Sequence, residues 1–225
     1  MPRPLELPAD WLPVATLRIG GGTRPSVRRL TTPAGEVIVK DYAGADALFA
    51  SLLGPLLAAR EARALKRLLA VQGVPNLIER RGRRALVMQW LPAEPFKYVD
   101  RDEAFWAQFF EVLAVRVSQM HCAGVAHCDL RSLNNVLVGL DQEPCLVDFA
   151  ACVFVPGRWN LPWRGVFARF CRADREALVK LKHRVAPALV SAEEKVLLAH
   201  RGLLARGARR LGQGMRWLSR ALLTR

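Results

Sequence analysis

The string His127-Cys128-Asp129-Leu130-Arg131-Ser132-Leu133-Asn134, with Val147-Asp148-Phe149 starting thirteen residues beyond its asparagine, constrains this chain more than any other feature. Moving a phosphoryl group to a hydroxyl needs one carboxylate to take the hydroxyl proton. It also needs a second carboxylate and an amide oxygen to hold magnesium on the ATP phosphates. Asp129, Asp148 and Asn134 are of the right types for these three tasks. Each element alone is a weak signal, because an aspartate beside apolar residues is often only a strand-end cap; their order and spacing together are specific.

The residues upstream extend the pattern. Glu36-Val37-Ile38-Val39-Lys40-Asp41 is a β-rich run that carries Lys40 near its end. After a break at Gly54-Pro55, the stretch 56–71 places Leu57, Leu65, Leu68 and Leu69 at helical spacing, and Gly73-Val74-Pro75 closes it. Glu61 is the sole acidic residue of that helix and is paired here with Lys40; the alternative is a solvated glutamate between Arg60 and Arg63. Ala85 to Leu91 reads as an apolar strand stopped by Pro92. A helix over about 102–122 turns Phe105, Phe109, Val112, Val117 and Met120 to one face, as core. Further on, Asp174 and Glu176 are read as opening a helix that runs to Arg184, and Ser191-Ala192-Glu193-Glu194 as starting another.

These strings resemble the H-R-D-L-x-x-x-N, D-F-G and V-A-I-K signatures of the protein-kinase-like superfamily over roughly residues 14–155. The resemblance implies an α+β, two-lobed fold, with a small β-rich N-lobe over 1–92 and a reduced, mainly helical C-lobe over 93–225. It implies ATP and Mg2+ as cofactors. Lys40, supported by Glu61, would grip the α- and β-phosphates, with Gly20 and Gly22 in the phosphate loop and the backbone near Gln89 and Leu91 binding adenine. Asp129 would act as the base, Arg131 would steady the transferring group, and Asn134 and Asp148 would hold the metal. The chain departs from the pattern at Pro25, which replaces the third loop glycine, at Cys128, which replaces the arginine of H-R-D, and at Ala150, which replaces the glycine of D-F-G. Without that arginine, switching by loop phosphorylation is not expected, and no A-P-E segment follows.

A length of 225 residues, with only about 75 after Phe149, is short for an ordinary protein kinase. The compact string H-x-D-L-R-x-x-N-N-V-L-V with V-D-F-A is similar to bacterial lipopolysaccharide kinases acting on heptose or Kdo, which implies a saccharide or lipid-linked sugar as acceptor. The RIO-type and Bud32-type atypical Ser/Thr kinases share the compactness and stand as the alternative, with a membrane-associated pseudokinase as a third reading.

Charge bears on partners. Residues 1–156 hold 18 basic and 16 acidic residues, whereas 157–225 hold 16 basic and 4 acidic, so the net +14 sits almost wholly in the last third. Trp159, Trp163, Phe167 and Phe170 alternate there with Arg158, Arg164, Arg169 and Arg172, and 204–222 reads as a basic amphipathic helix. Such a surface suits an anionic membrane; the alternative is that the aromatics fill the C-lobe core. Nucleic acid is disfavoured by the lack of a recognition module. No stretch reaches the roughly 20 apolar residues of a membrane span, the N-terminus is not read as a signal peptide, and five cysteines without C-x-x-C spacing fit a reduced compartment. The expectation is a cytoplasmic chain, peripheral on the inner face of a bacterial cytoplasmic membrane.

Overall fold

The computed structural model describes residues 5, 7–157 and 159–200. β1 (Leu12–Arg18), β2 (Ser26–Thr32) and β3 (Gly35–Asp41) form an antiparallel meander. The helices α1 (Ala47–Leu52) and α2 (Gly54–Arg67) follow, and β4 (Leu77–Arg81) with β5 (Ala85–Gln89) completes a five-stranded sheet in the order β1-β2-β3-β5-β4. Side chains alternate between faces along a strand. Val37 and Val39 therefore join Leu30 and Val87 in an outer cluster covered by Leu5, Leu7 and Trp11, and Lys40 turns the other way, toward α2.

Gly54 and Pro55, expected to break the chain ahead of the helix, instead open α2. Proline is preset for the first helical turn, where its missing N–H costs nothing. Gly54 is required for a different reason, since a Cβ there would lie 2.9 Å from the Cβ of Tyr42. The helix also ends at Arg67, earlier than the apolar pattern through Val71 suggests. Its buried face is mostly small, with Ala58, Ala62 and Ala64 beside Leu65, so it lies close to its neighbours and carries Glu61 inward.

β6 (Ala93–Pro95) leads into α3 (Glu103–Cys122), which is capped by the Asp102 carboxylate accepting the Phe105 N–H at 2.8 Å. The face of α3 turned inward carries Trp106, Phe109, Phe110, Leu113, Val117 and Met120, while Phe105 and Val112 are half-buried. Trp106, Phe109 and Phe110 surround Phe96 with centroid separations of 5.0, 5.9 and 5.9 Å. β7 (Val125–Ala126), β8 (Val136–Gly139), β9 (Pro144–Leu146) and β10 (Val153–Phe154) are short; β6-β8-β9 and β10-β7 pair as two small sheets. Their function in the fold is to fix the ends of two loops, 127–135 and 147–152. One hydrophobic cluster runs from Tyr42, Leu65 and Leu86 through Phe149 and Leu130 to Phe109 and Leu181, so both halves of the chain share a core.

The last large element differs from expectation. α4 spans Leu161–Val185, capped by Asn160 with Pro162 in its first turn, and Asp174 lies in its middle instead of at its start. Asp174 is 1% exposed, and its oxygens accept the backbone N–H of His127 at 2.7 Å and of Cys128 at 2.8 Å, with His121 Nε2 at 3.1 Å. A carboxylate that deeply buried persists only when it is hydrogen-bonded, and these bonds bind the first turn of loop 127–135 to α4. α5 (Ala192–His200) starts as expected, with Ser191 Oγ accepting the Glu194 N–H and Glu194 accepting the Ser191 N–H. The amphipathic pattern over 204–222 lies outside the described residues.

Replacing Asp174 with Ala strands two buried donors and should cost about 3 kcal/mol or more. Asn retains one acceptor oxygen and should cost less. Urea denaturation of the two variants measures the difference, and equal losses would contradict the anchoring role.

Candidate active site

β3 delivers Lys40, α2 delivers Glu61 and the turn after β9 delivers Asp148. Lys40 Nζ lies 2.7 Å from Glu61 Oε2 and 2.7 Å from Asp148 Oδ1. Burial by itself would pull the ammonium down, but two carboxylates against one cation hold its pKa above the ordinary value. Burial raises Glu61 against the pull of Lys40. Asp148 is opposed by burial too, yet Lys40, with a contribution from Arg18, keeps it below the usual carboxylate value. Asp148 therefore stays ionised at neutral pH and can face a metal or a cation.

Loop 127–135 carries the second half of the site. His127 is fully buried, its Nε2 lies 3.0 Å from the Val147 carbonyl, and its Nδ1 lies 3.3 Å from the Asp129 N–H. These partners assign the proton to Nε2, and burial lowers the pKa, so the ring is neutral and orders the loop. Cys128 adopts φ 68° and Asp148 φ 67°, left-handed conformations uncommon outside glycine. Both sit beside functional side chains, where local strain tends to concentrate. Burial, reinforced by Asp174, pushes the Cys128 thiol up to about 12, so the sulfur remains protonated. Ala150, in place of glycine, lies in a 3-10 turn at Phe149–Ala151 that asks for no positive φ from it.

Asp129 is exposed, with its carboxylate partly desolvated. Desolvation raises its pKa, and a hydrogen bond from Asn135 opposes the rise. Asn135 Nδ2 donates at 3.0 Å to both the Asp129 carbonyl and its carboxylate, and the Asn135 carbonyl accepts the Val147 N–H at 3.0 Å. Asn135 thus bridges the Asp129 and Asp148 segments, and it is buried. Asn134 is exposed, although it lines the same cavity. The spacing from Asp129 points to Asn134, and the structure adds Asn135, next to the β8 run Val136-Leu137-Val138, as a second asparagine lining the cavity. Arg131 is exposed and close enough to lower Asp129.

The cavity lined by Lys40, Glu61, Asn134, Asn135 and Asp148 measures about 480 Å³, and Asp129 and Arg131 lie outside its walls. Leu17, Val27, Ile38 and Met88 line it from the sheet, Leu137 and Val147 from the opposite side, and Gln89 and Leu91 at the strand-to-β6 connection. Lys40, Glu61, Asp148, Asn134 and Asn135 stand at its polar end together with Arg18, a residue that sequence reasoning missed. Gly20 and Gly22 are not in its walls. Gly22 is bonded to Asp46 through both its N–H and its carbonyl, and a Cβ at Gly20 would meet the Gly44 carbonyl at 2.5 Å. The glycine turn is thus packed onto the start of α1. A groove of about 540 Å³ between α3 and α4, with Glu111, Ser118, Arg175 and Lys182 on its walls, contains none of the residues above.

The donor set suits ATP and magnesium. The Asp148 carboxylate and an asparagine oxygen are hard ligands, and magnesium takes one or two such groups while phosphates and water complete its shell.

A family model described as the RIO domain matches residues 51–157. None of the curated proteins matches the chain. Among solved structures it is similar to the Rio2 kinase from Chaetomium thermophilum, with 18% identity, a TM-score of 0.58, and coverage of 78% of this chain and 58% of that one. It is also similar to the ADP/Mg2+-phosphoaspartate complex of that kinase, with 17% identity, a TM-score of 0.57, and coverage of 78% and 57%. The chain thus spans less than three fifths of the length of the structures it resembles. The likeness shows the fold, which is that of the Rio2 kinase structures, and the RIO-domain match covers a little under half of the chain.

Proposed function

We propose that the protein moves the γ-phosphoryl group of Mg-ATP to a hydroxyl as an atypical kinase of the RIO type. The observation that carries this is Lys40, held 2.7 Å from both Glu61 and Asp148 in a cavity that is also lined by Asn135, whose amide donates to the Asp129 carboxylate. Magnesium, when bound, neutralises phosphate charge; Asp148 with Asn135 or Asn134 would hold it. Lys40 grips the phosphates, and the apolar walls take the adenine. The Gln89 N–H is engaged by the Asn76 carbonyl at 2.9 Å, so backbone pairing to the base falls to Leu91. Asp129 orients the acceptor hydroxyl and takes its proton, with Arg131 nearby. Because the glycine turn is packed onto α1, Arg18 is the additional cation for the phosphates.

The RIO-domain match and the likeness to Rio2 kinase favour a Ser/Thr hydroxyl over a lipopolysaccharide sugar, which rests on the sequence resemblance alone. A lipid-linked saccharide is kept as a second reading on one observation: Trp163 and Phe170 are exposed among arginines on the segment that follows the active site. A scaffold without turnover has no need for the assembled ion pair and loop.

Mg-dependent ATP turnover tests the proposal. Asp148→Ala should lose turnover by roughly a thousandfold or more with its far-UV circular dichroism unchanged; retained turnover refutes the assignment. The base must be deprotonated to act, so activity should rise with pH through the Asp129 pKa, and the acid limb should lie above the ordinary aspartate value of 3.8. Asn135→Ala removes a bond that stabilises the carboxylate and should move that limb further up in pH-rate profiles. Arg18→Ala should weaken ATP binding roughly tenfold and leave adenosine binding unchanged by calorimetry; equal losses would place Arg18 against the base.

A further inference from the structure

α4 carries an apolar stripe longer than the body it packs on. Trp163, Phe167 and Phe170 continue, at steps of four and three, the face that Cys171, Ala177, Leu178 and Leu181 present to the core. From Cys171 onward the stripe is covered. Ahead of it Trp163 is 60% exposed, Phe170 36% exposed and Phe167 between them half-buried, and Trp159, just before the helix, is 91% exposed. At about 100° per residue, Arg164 and Arg169 flank this open stretch on its two sides, and both are exposed. Residues 157–172 contain four arginines and no carboxylate.

Exposed contiguous aromatics mark a surface that something else covers. The occupant has to be apolar where it meets the rings and anionic where it meets the arginines. The chain's own residues 201–225 hold seven arginines and no Asp or Glu, so like charge opposes their seating here, and it opposes a second copy equally. A nucleic acid would satisfy the cations but not the one-sided apolar stripe. An anionic phospholipid surface satisfies both, because rings insert at the headgroup boundary while flanking arginines meet phosphates.

We propose that the N-terminal overhang of α4, with Trp159 ahead of it, docks on an anionic bilayer. Trp163 and Phe170 insert, and Arg164 and Arg169 lie at the headgroups. Asp174, which holds loop 127–135, follows Phe170 by four residues, a rise of about 6 Å, so docking brings the active-site loop to within a few nanometres of the lipid. Docking rests on the exposed face; its consequence for phosphoryl transfer rests on the kinase reading above.

The full chain should sediment with phosphatidylcholine vesicles containing about 30% phosphatidylglycerol at near-physiological salt, and with neutral vesicles far less. Its tryptophan emission should shift to the blue and be quenched by brominated lipid. The double variant Trp163→Ser, Phe170→Ser and the double variant Arg164→Glu, Arg169→Glu should each lose roughly tenfold or more in partitioning, with melting temperature and lipid-free ATP turnover unchanged. No binding to anionic vesicles overturns the proposal, as does binding that both double variants retain. Binding to single-stranded or duplex RNA in place of vesicles, lost in the same variants, also overturns it in favour of a nucleic-acid face. Failure here with ATP turnover intact leaves the kinase reading standing, and vesicle binding without turnover sinks that reading alone.

Discussion

A single buried ammonium organises this molecule. Lys40 is 5% exposed on a strand that also carries Val37, Ile38 and Val39, and an uncompensated charge there would cost several kcal/mol. Its compensation comes from two carboxylates far away in sequence, Glu61 on α2 and Asp148 beyond β9. Satisfying the ion therefore presses α2 against the sheet and closes the later loop onto both. The same demand keeps α2 lined with alanines, since larger side chains would hold Glu61 out of reach.

A second buried charge plays the matching part on the helical side. Asp174 ties α4 to the backbone of His127 and Cys128, and the neutral His127 ring ties that loop to Val147, one residue before Asp148. Asn135 then joins Asp129 to the same Val147. Two left-handed residues, Cys128 and Asp148, are held in place by this network. The reacting carboxylates are positioned by neighbours whose own polar groups are satisfied, which is how a site stays preorganised without a large core around it.

The net charge has a separate logic. Residues 1–156 are nearly balanced, and the site needs that balance because its carboxylates and cations answer one another locally. The surplus lies after the active site, and on α4 Arg164, Arg169, Arg172 and Arg175 are exposed. The concentration of these arginines beside exposed aromatics bears on what the surface meets.

Much of this was legible in the residues themselves. The β3 run, the α3 pattern, the capping residues before α5 and the order of Lys40, Glu61, Asp129 and Asp148 are local features, set by periodicity and by motif spacing. Other features were not legible, because they depend on contacts made across the chain. Gly54 and Pro55 open a helix because Tyr42 leaves no room for a side chain. Asp174 sits mid-helix because loop 127–135 needs its oxygens, not because it caps a first turn. Gly20 and Gly22 turn onto Gly44 and Asp46 and away from the cavity, while Arg18 enters it. The choice between Asn134 and Asn135 is the sharpest case. The two are chemically identical and adjacent, so sequence alone determines that an asparagine follows Asp129 at loop distance. Only the tertiary structure gives them different surroundings, because the β8 pairing buries Asn135 against Asp129 and leaves Asn134 exposed at the same cavity.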